Sequence, residues 1–560
     1  MHFAQYYLDC LSQASYLIGD EATGRAVLVD PRRDIDDYLH DAEAAGLRIE
    51  LVIETHIHAD FLSGHLELAR ATGAAIAFGE AAETGFPIRR LRDGERISLG
   101  ADDGAGVTLT VLATPGHTLE SICLVIREHP DDEVPFGVLT GDTLFVGDVG
   151  RPDLLSAAGH SPRDMAIRLH SSLHTKLMAL PDTTRVFPAH GAGSACGRSL
   201  STETSSTIGD QRRLNYALQP MPEADFVRLV TAGQPTTPGY FAHDAALNRD
   251  GHPLLEPGPP AALTLDEALA ARDRQGAVLL DCRPLAAYTR AHLAGSLHTS
   301  LDTRFAEYAG SVVTPGTPIV LLADPGTEQE ARLRLARIGY DRVLGHLPDP
   351  AAVLDGTPTL ARRSHRVRHE ELPQMQAELS DGDAADDPLV AASLVDASSA
   401  SSVAAPSVDV SSASSVDGSS LDAQSAGGQP AGGQSAGGQW AGDYPSGGAS
   451  AGAHASGSRS AAAAHVSGAR SVAAAHSSGI QLIDVRNPAE YEAGAFPGAR
   501  NIPLAALPQR INELDPARPV VLYCRSGNRS VIAAALLEAR GFGDVCDVVG
   551  GYEAVAADVG

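Results

Sequence analysis

Apolar residues in the first two hundred positions fall into short β-rich runs separated by turn residues and amphipathic stretches. Examples are Ala26–Pro31 (AVLVDP), Leu47–His56 (LRIELVIETH), Gly106–His117 (GVTLTVLATPGH) and Phe136–Asp142 (FGVLTGD). Short apolar runs bounded by turn signals predict buried strands, and the amphipathic stretches between them predict helices. The last three runs end on a residue able to bind a metal: His56, His117 and Asp142. Strand ends and the loops after them are where a rigid scaffold presents ligands to a cleft.

Beyond this region the pattern repeats. Val278–His298 (VLLDCRPLAAYTRAHLAGSLH) and Gln481–Asn501 (QLIDVRNPAEYEAGAFPGARN) share a buried strand, an acidic-x-Arg end and a helix leading to a glycine turn. Each is followed by a further apolar strand, Pro318–Asp324 or Pro519–Arg525, and by an Ala/Leu/Arg-rich helix ending near Gly339 or Gly541. One α/β unit has been duplicated. The first copy carries a helix just before its core strand, and the counterpart in the second is His369–Leu379 (HEELPQMQAEL). A Ser/Ala/Gly-rich stretch, with SAGGQ repeats and the related units Ser456–Val466 and Ser467–Ser477, separates that helix from its strand. Such a composition cannot bury enough apolar surface to offset ordering, so Ser380–Ser478 is expected to be a solvated insertion inside a domain.

Length requires several cores, since 560 residues exceed what one domain holds. A net charge of −28 argues against nucleic acid or an anionic membrane as partner, because phosphate surfaces select for clustered Lys and Arg. Cys10, Cys123, Cys196, Cys282, Cys524 and Cys546 lie far apart and form no CxxC pair. That spacing suits a reducing compartment. The start MHFAQYYLDC lacks the basic and apolar regions of a signal peptide, and no apolar run is long enough to span a bilayer. The expectation is a cytoplasmic protein.

The richest stretch is Thr55–Phe61 (THIHADF). A His-x-His-x-Asp string arises by chance in about 5% of chains of this size, so alone it is weak. Three more elements follow at strand ends: TPGHT with His117, TGDTLF with Asp142 and PAHGAG with His190. The set resembles the metallo-β-lactamase superfamily over about residues 1–219, which implies an αββα sandwich with metal at one edge. Hydrolases of that superfamily carry a further histidine where this chain has Phe61, which cannot ligate. A complete second metal site, and with it the bridged nucleophile of a two-zinc hydrolase, is not expected.

Two imidazoles and one carboxylate on one metal leave positions open for substrate and O₂, the arrangement of non-haem iron(II) oxygenases. HADFLSGHLELA, GDTLFVGDVGRPDL and PAHGAGSACGRSLSTETSSTIGDQRR are similar to the persulfide dioxygenases fused to rhodanese domains, as is YFAHDAALNRDGHPLL. The resemblance implies one Fe(II) per chain on His56, His117 and Asp142, with His58, Asp60 and His190 orienting those ligands. Arg151 and Asp153 in VGRPDL are candidates for holding a low-molecular-weight thiol persulfide, and equally for a structural salt-bridge turn.

Cys524–Arg525–Ser526–Gly527–Asn528–Arg529–Ser530 follows an apolar strand and opens a helix. Backbone N–H groups, the helix N-terminus and Arg525 and Arg529 there favour a thiolate and then its persulfide. The loop resembles a rhodanese active site. Related phosphatases use a loop one residue longer, so this short ring favours sulfane sulfur. The first copy reads Ala323–Asp324–Pro325–Gly326–Thr327–Glu328–Gln329, without cysteine and with acidic groups that repel an anionic donor. Cys282 comes too early in the unit to substitute, and Cys546 reads as core.

The expected architecture is multidomain α/β: a metallo-β-lactamase-fold persulfide dioxygenase domain (1–250) and a degenerate rhodanese-like domain (260–350). A catalytic rhodanese domain (362–379 and 479–560) follows, interrupted by the insertion (380–478). The expected partners are a thiol persulfide, O₂ and sulfane sulfur donors and acceptors, with no nucleic acid or membrane and with room for a homo-oligomer. The rival expectation is a zinc-dependent thioester hydrolase of the glyoxalase II kind.

Overall fold

A computed structural model of the chain describes residues 1–101, 105–198, 200–373, 375 and 479–558. The insertion at 380–478, with its 11-residue units and Trp440, lies outside the described residues. Of the helix expected over His369–Leu379, a 3-10 turn is seen at His369–Glu371, and residues 376–379 also lie outside the described residues.

Two six-stranded sheets form the N-terminal part. One runs, in spatial order, His2–Leu8, Gln13–Asp20, Arg25–Val29, Arg48–Ile53, Ala75–Gly79 and Arg89–Leu91. The other runs Ser206–Thr207, Arg185–Pro188, Gly137–Gly141, Ile122–Arg127, Thr108–Ala113 and Arg96–Ser98. Alternate residues of each strand serve two cores, as the period-2 geometry of a strand requires. Ile18, Val27, Val29 and Ile53 meet Leu109, Val111, Leu124 and Ile126 between the sheets. Leu17, Leu28 and Val52 face the other way, onto Tyr38, Ala42 and Leu68 of the helices Asp36–Ala44 and His65–Thr72. Val125, Val138 and Val186 likewise face Ala166, Leu169 and Leu173 of the helix Pro162–Thr175. The result is helix, sheet, sheet, helix: the expected αββα sandwich.

The two repeats form parallel sheets. The first orders its strands Leu297–His298, Val278–Asp281, Ile319–Leu322 and Val343–Leu347. The second orders His365–Val367, Val545–Val548, Val520–Tyr523, Gln481–Asp484 and Arg500–Asn501. Its edge strand His365–Val367 comes from before the insertion and pairs with Val545–Val548 from after it. The shared acidic-x-Arg end does the same work in both copies. Arg283 binds Asp281 through two nitrogens and donates to the Ala291 carbonyl, and Arg486 treats Asp484 and the Gly494 carbonyl identically. The copies pack through Tyr288 against Val531 and Ala535. No helix among the described residues is long and apolar enough to cross a membrane.

Arg33 locks the sandwich to the first repeat. Its fully buried guanidinium reaches Glu67 at 2.9 Å and, across more than three hundred residues of sequence, Asp341 at 2.6 Å. Removing one member of such a group leaves buried charge without a partner. Arg33→Ala is therefore expected to cost about 3 kcal/mol, read as a lowered denaturant midpoint. An unchanged midpoint would show that the contact is idle.

Candidate metal centre

His56, His117, Asp142 and His190 follow the strands Arg48–Ile53, Thr108–Ala113, Gly137–Gly141 and Arg185–Pro188, so the strand order of the two sheets brings them to one edge. Gly141 makes the approach possible. It has φ +50°, and a Cβ there would stand 2.7 Å from the Thr55 hydroxyl. Asp142 thus sits against the Thr55–His56 turn.

His117 Nδ1 lies 2.9 Å from the Arg151 carbonyl, which can only accept, so the proton is on Nδ1 and Nε2 offers its lone pair inward. His56 is set the same way. The Thr55 hydroxyl donates to Asp30 at 2.8 Å and so accepts from His56 Nδ1 at 3.0 Å. The two Nε2 atoms stand 3.8 and 3.4 Å from Asp142 Oδ2. Metal–ligand bonds of about 2.1 Å separate donors by roughly 3.0–3.4 Å, so the His117 spacing matches a shared ion and the His56 spacing is a few tenths of an ångström wider. Asp142 Oδ1 is taken by His190 Nδ1 at 2.7 Å, whereas Oδ2 is buried without a hydrogen-bond partner. A buried carboxylate oxygen of that kind is costly unless a cation meets it. Burial, helped by the charge of His58, lowers the pKa of His56, and burial lowers that of His117 against the pull of Asp142. Both imidazoles are held neutral, the form that ligates.

His58 belongs elsewhere. Its Nε2 faces Asp30 at 3.1 Å and Glu54 at 3.3 Å, while the Phe61 ring packs on it at 4.4 Å. Burial disfavours its charge, but Asp30 and Glu54 outweigh burial and push its pKa up to about 10. His190 bridges Asp142 and Asp60, its Nε2 lying 2.8 Å from Asp60 Oδ2. Arg151 and Asp153 pair with each other at 2.7 Å, and the Arg151 guanidinium also donates to the Ala195 carbonyl. The pair thereby holds the carbonyl that orients His117.

Two groups went unassembled in the sequence. Cys196 joins Asp60 and His190 in a second buried set with donor atoms within 4.8 Å of one another. Its only signal was its place in the loop after His190. Asn248 donates to the carbonyls of His58 and Phe61 at 2.8 Å each and accepts from the Ser63 amide at 2.9 Å. It thus clamps the His-x-His-x-Asp loop from a distant helix. Asn248→Ala should cost about 2–4 kcal/mol through the three groups it orphans, and should weaken metal retention in equilibrium dialysis. Full stability with full retention would refute the clamp.

In the second repeat Cys524 is buried at the end of Val520–Tyr523, and the Gly527 amide donates to its sulfur at 3.2 Å. Gly527 has φ +93° and precedes the helix Asn528–Ala539, whose N-terminal field acts on the same sulfur. Arg529 is fixed by Glu490 through two bonds of 2.7 and 2.8 Å. The Arg525 guanidinium is exposed and pairs with Glu553 instead. In the first repeat Ala323 replaces the cysteine. Gly326, with φ +90°, takes the place of Gly527, and its amide donates to the Glu328 carboxylate at 2.8 Å. Burial pushes the Cys282 thiol well up, and its sulfur bonds the Leu280 carbonyl. Burial also pushes Cys546 up to about 12.

The profile of the Metallo-beta-lactamase superfamily matches residues 8–190, and that of the Rhodanese-like domain matches 264–356 and 462–558. A hydroxyacylglutathione hydrolase from Maricaulis maris is 32% identical over 45% of this chain and 86% of its own length. A mitochondrial persulfide dioxygenase, ETHE1, from Bos taurus is 28% identical over 36% of this chain and 70% of its own. A solved structure titled as a metallo-beta-lactamase from Staphylococcus aureus aligns with TM-score 0.55 and 34% identity, covering 62% of this chain and 98% of that one. The chain spans only 58–59% of the length of several curated beta-lactamase hydrolase-like proteins that it matches. With this site and fold, the chain belongs to the metallo-β-lactamase superfamily. More particularly, it joins a domain of that superfamily to rhodanese-like domains, as the persulfide dioxygenase resemblance implied.

Proposed function

We propose that the chain is an iron-dependent persulfide dioxygenase fused to a sulfurtransferase whose nucleophile is Cys524. The observation that carries the reading is the withdrawal of His58 into Asp30 and Glu54. It leaves two imidazoles and one carboxylate, His56, His117 and Asp142, as the set that would hold one ion. Iron(II), one per chain, would supply there the redox chemistry that joins O₂ to a thiol persulfide. The overall reaction turns persulfide, O₂ and water into free thiol, sulfite and two protons.

The chain's own groups have definite parts in this. Thr55 and the Arg151 carbonyl fix the tautomers of His56 and His117. His190 holds Asp142 by Oδ1, so that Oδ2 is the oxygen left for the metal, and its Nε2 faces the Asp60 carboxylate. Asp153, partly exposed beside buried Arg151, is the member of that pair left to meet a substrate. At Cys524 the Gly527 amide and the helix N-terminus stabilise negative sulfur, with Arg529 adding its charge. A thiolate there exchanges sulfane sulfur with donors and acceptors.

A second reading, a glyoxalase II-like zinc thioesterase, draws support from the Maricaulis relative and from the second set Asp60, His190 and Cys196. Stoichiometry on glutathione persulfide tests the first reading. Iron-loaded chain should take up one O₂ and form one sulfite per persulfide consumed, and persulfide left unoxidised would exclude it.

A further inference from the structure

Between the sandwich and the two repeats lies a cleft of about 320 Å³, within the size range that holds small ligands. All three parts build it. Arg198 comes from the sandwich, Arg304 and Tyr308 from the first repeat, and Asn487, Ala505 and Arg529 from the second. The chain carries a net charge of −28, yet three arginines line this cleft; Arg304 is paired with Glu307 and Arg529 with Glu490, which leaves Arg198 as the cation to consider. Arg198 is oriented by neutral groups, the carbonyls of Leu229 and Ala232 at 3.2 and 3.1 Å and the face of Tyr216. Its charge is therefore available to an anion.

The cleft lies beside the loop that carries Cys524, because Arg529 of that loop lines it. Tyr308 lies close enough to feel the charges of both Arg529 and Cys524, although burial is the main cause of its raised pKa. A narrower continuation shares Ser194, Arg304 and Glu307 with the cleft and ends at Asp60, the partner of His190.

We infer that this cleft docks the low-molecular-weight thiol that takes sulfur from Cys524, with Arg198 binding a carboxylate of that thiol. The inference rests on the sulfurtransferase reading of Cys524. The acceptor thiolate attacks the outer sulfur of the Cys524 persulfide and forms a new S–S bond. The old S–S bond breaks, its electron pair stays on Cys524 Sγ, and the products are the acceptor persulfide and the Cys524 thiolate. No oxidant or reductant is consumed. The first repeat, which has lost its own cysteine, here has a use as a wall of the acceptor site.

The test uses the full chain under anaerobic conditions, with Cys524 loaded from thiosulfate and its persulfide followed by intact mass. Glutathione, which carries two carboxylates, is compared as acceptor with 2-mercaptoethanol, which carries none. Arg198→Gln should raise the half-saturating glutathione concentration at least about ten-fold, the worth of one charge-assisted hydrogen bond. It should change the 2-mercaptoethanol rate less than about two-fold, since that thiol has nothing for the arginine to bind. Ala505→Trp, which fills the cleft, should slow discharge by glutathione at least about ten-fold. Unchanged glutathione kinetics in both variants, or equal losses with both thiols in Arg198→Gln, would overturn the docking site. A wild-type Cys524 that never loads would instead remove the sulfurtransferase reading, and the docking site with it.

Discussion

Alanine in place of His56, His117 or Asp142 is expected to strip the metal and lower persulfide-dependent oxygen uptake by at least about a thousand-fold. Each substitution deletes one donor of a three-donor set, and the remaining two cannot hold an ion against solvent. Asp142→Ala should be the most severe, because it also removes the anchor of His190 Nδ1. His58→Gln is the informative contrast. Were His58 a ligand, its loss would match that of His56. The structure instead commits it to Asp30 and Glu54. The variant should keep its metal while losing stability, by about 3–5 kcal/mol if the buried carboxylates stay charged. Metal content and denaturant midpoint, measured on the same four proteins, check both halves. Equal metal loss in His58→Gln and His56→Ala would place His58 among the ligands.

The second large effect separates the two reactions. Cys524→Ser should lower sulfur transfer from thiosulfate at least about a thousand-fold, as expected when a covalent nucleophile is removed. Oxygen uptake on added persulfide should stay within about two-fold of wild type, because the substitution leaves His56, His117 and Asp142 in place. Cys282→Ser should change neither rate. That thiol is buried with its pKa raised well above the ordinary range, so it offers no thiolate to a sulfur donor. Sulfur transfer assayed with thiosulfate and glutathione, beside oxygen uptake, reads both activities. Transfer lost in Cys282→Ser would assign the reaction to the wrong repeat.

What could be read from the chain alone follows physical range. The candidate ligands His56, His117 and Asp142 were legible because each stands within a few residues of the end of an apolar strand, where the loop meets the sheet edge. The duplicated unit was legible because Asp281–Arg283 and Asp484–Arg486 repeat a local pairing. Groups that act across the fold left no local mark. Asn248 reaches the His58 loop from 190 residues away, and Arg33 reaches Asp341 from 308. Cys196 could not be told from a core cysteine until Asp60 and His190 were placed beside it. Arg525 shows the opposite error of range. Next to Cys524 in sequence, it directs its side chain to Glu553.

Metal content and oxygen uptake, measured on chain purified anaerobically without added metal, separate an iron dioxygenase from a zinc hydrolase. About one iron per chain and oxygen uptake on glutathione persulfide are expected, with no hydrolysis of a glutathione thioester. Two tightly held zinc ions per chain, with rapid thioester hydrolysis and no oxygen uptake, would contradict the dioxygenase reading.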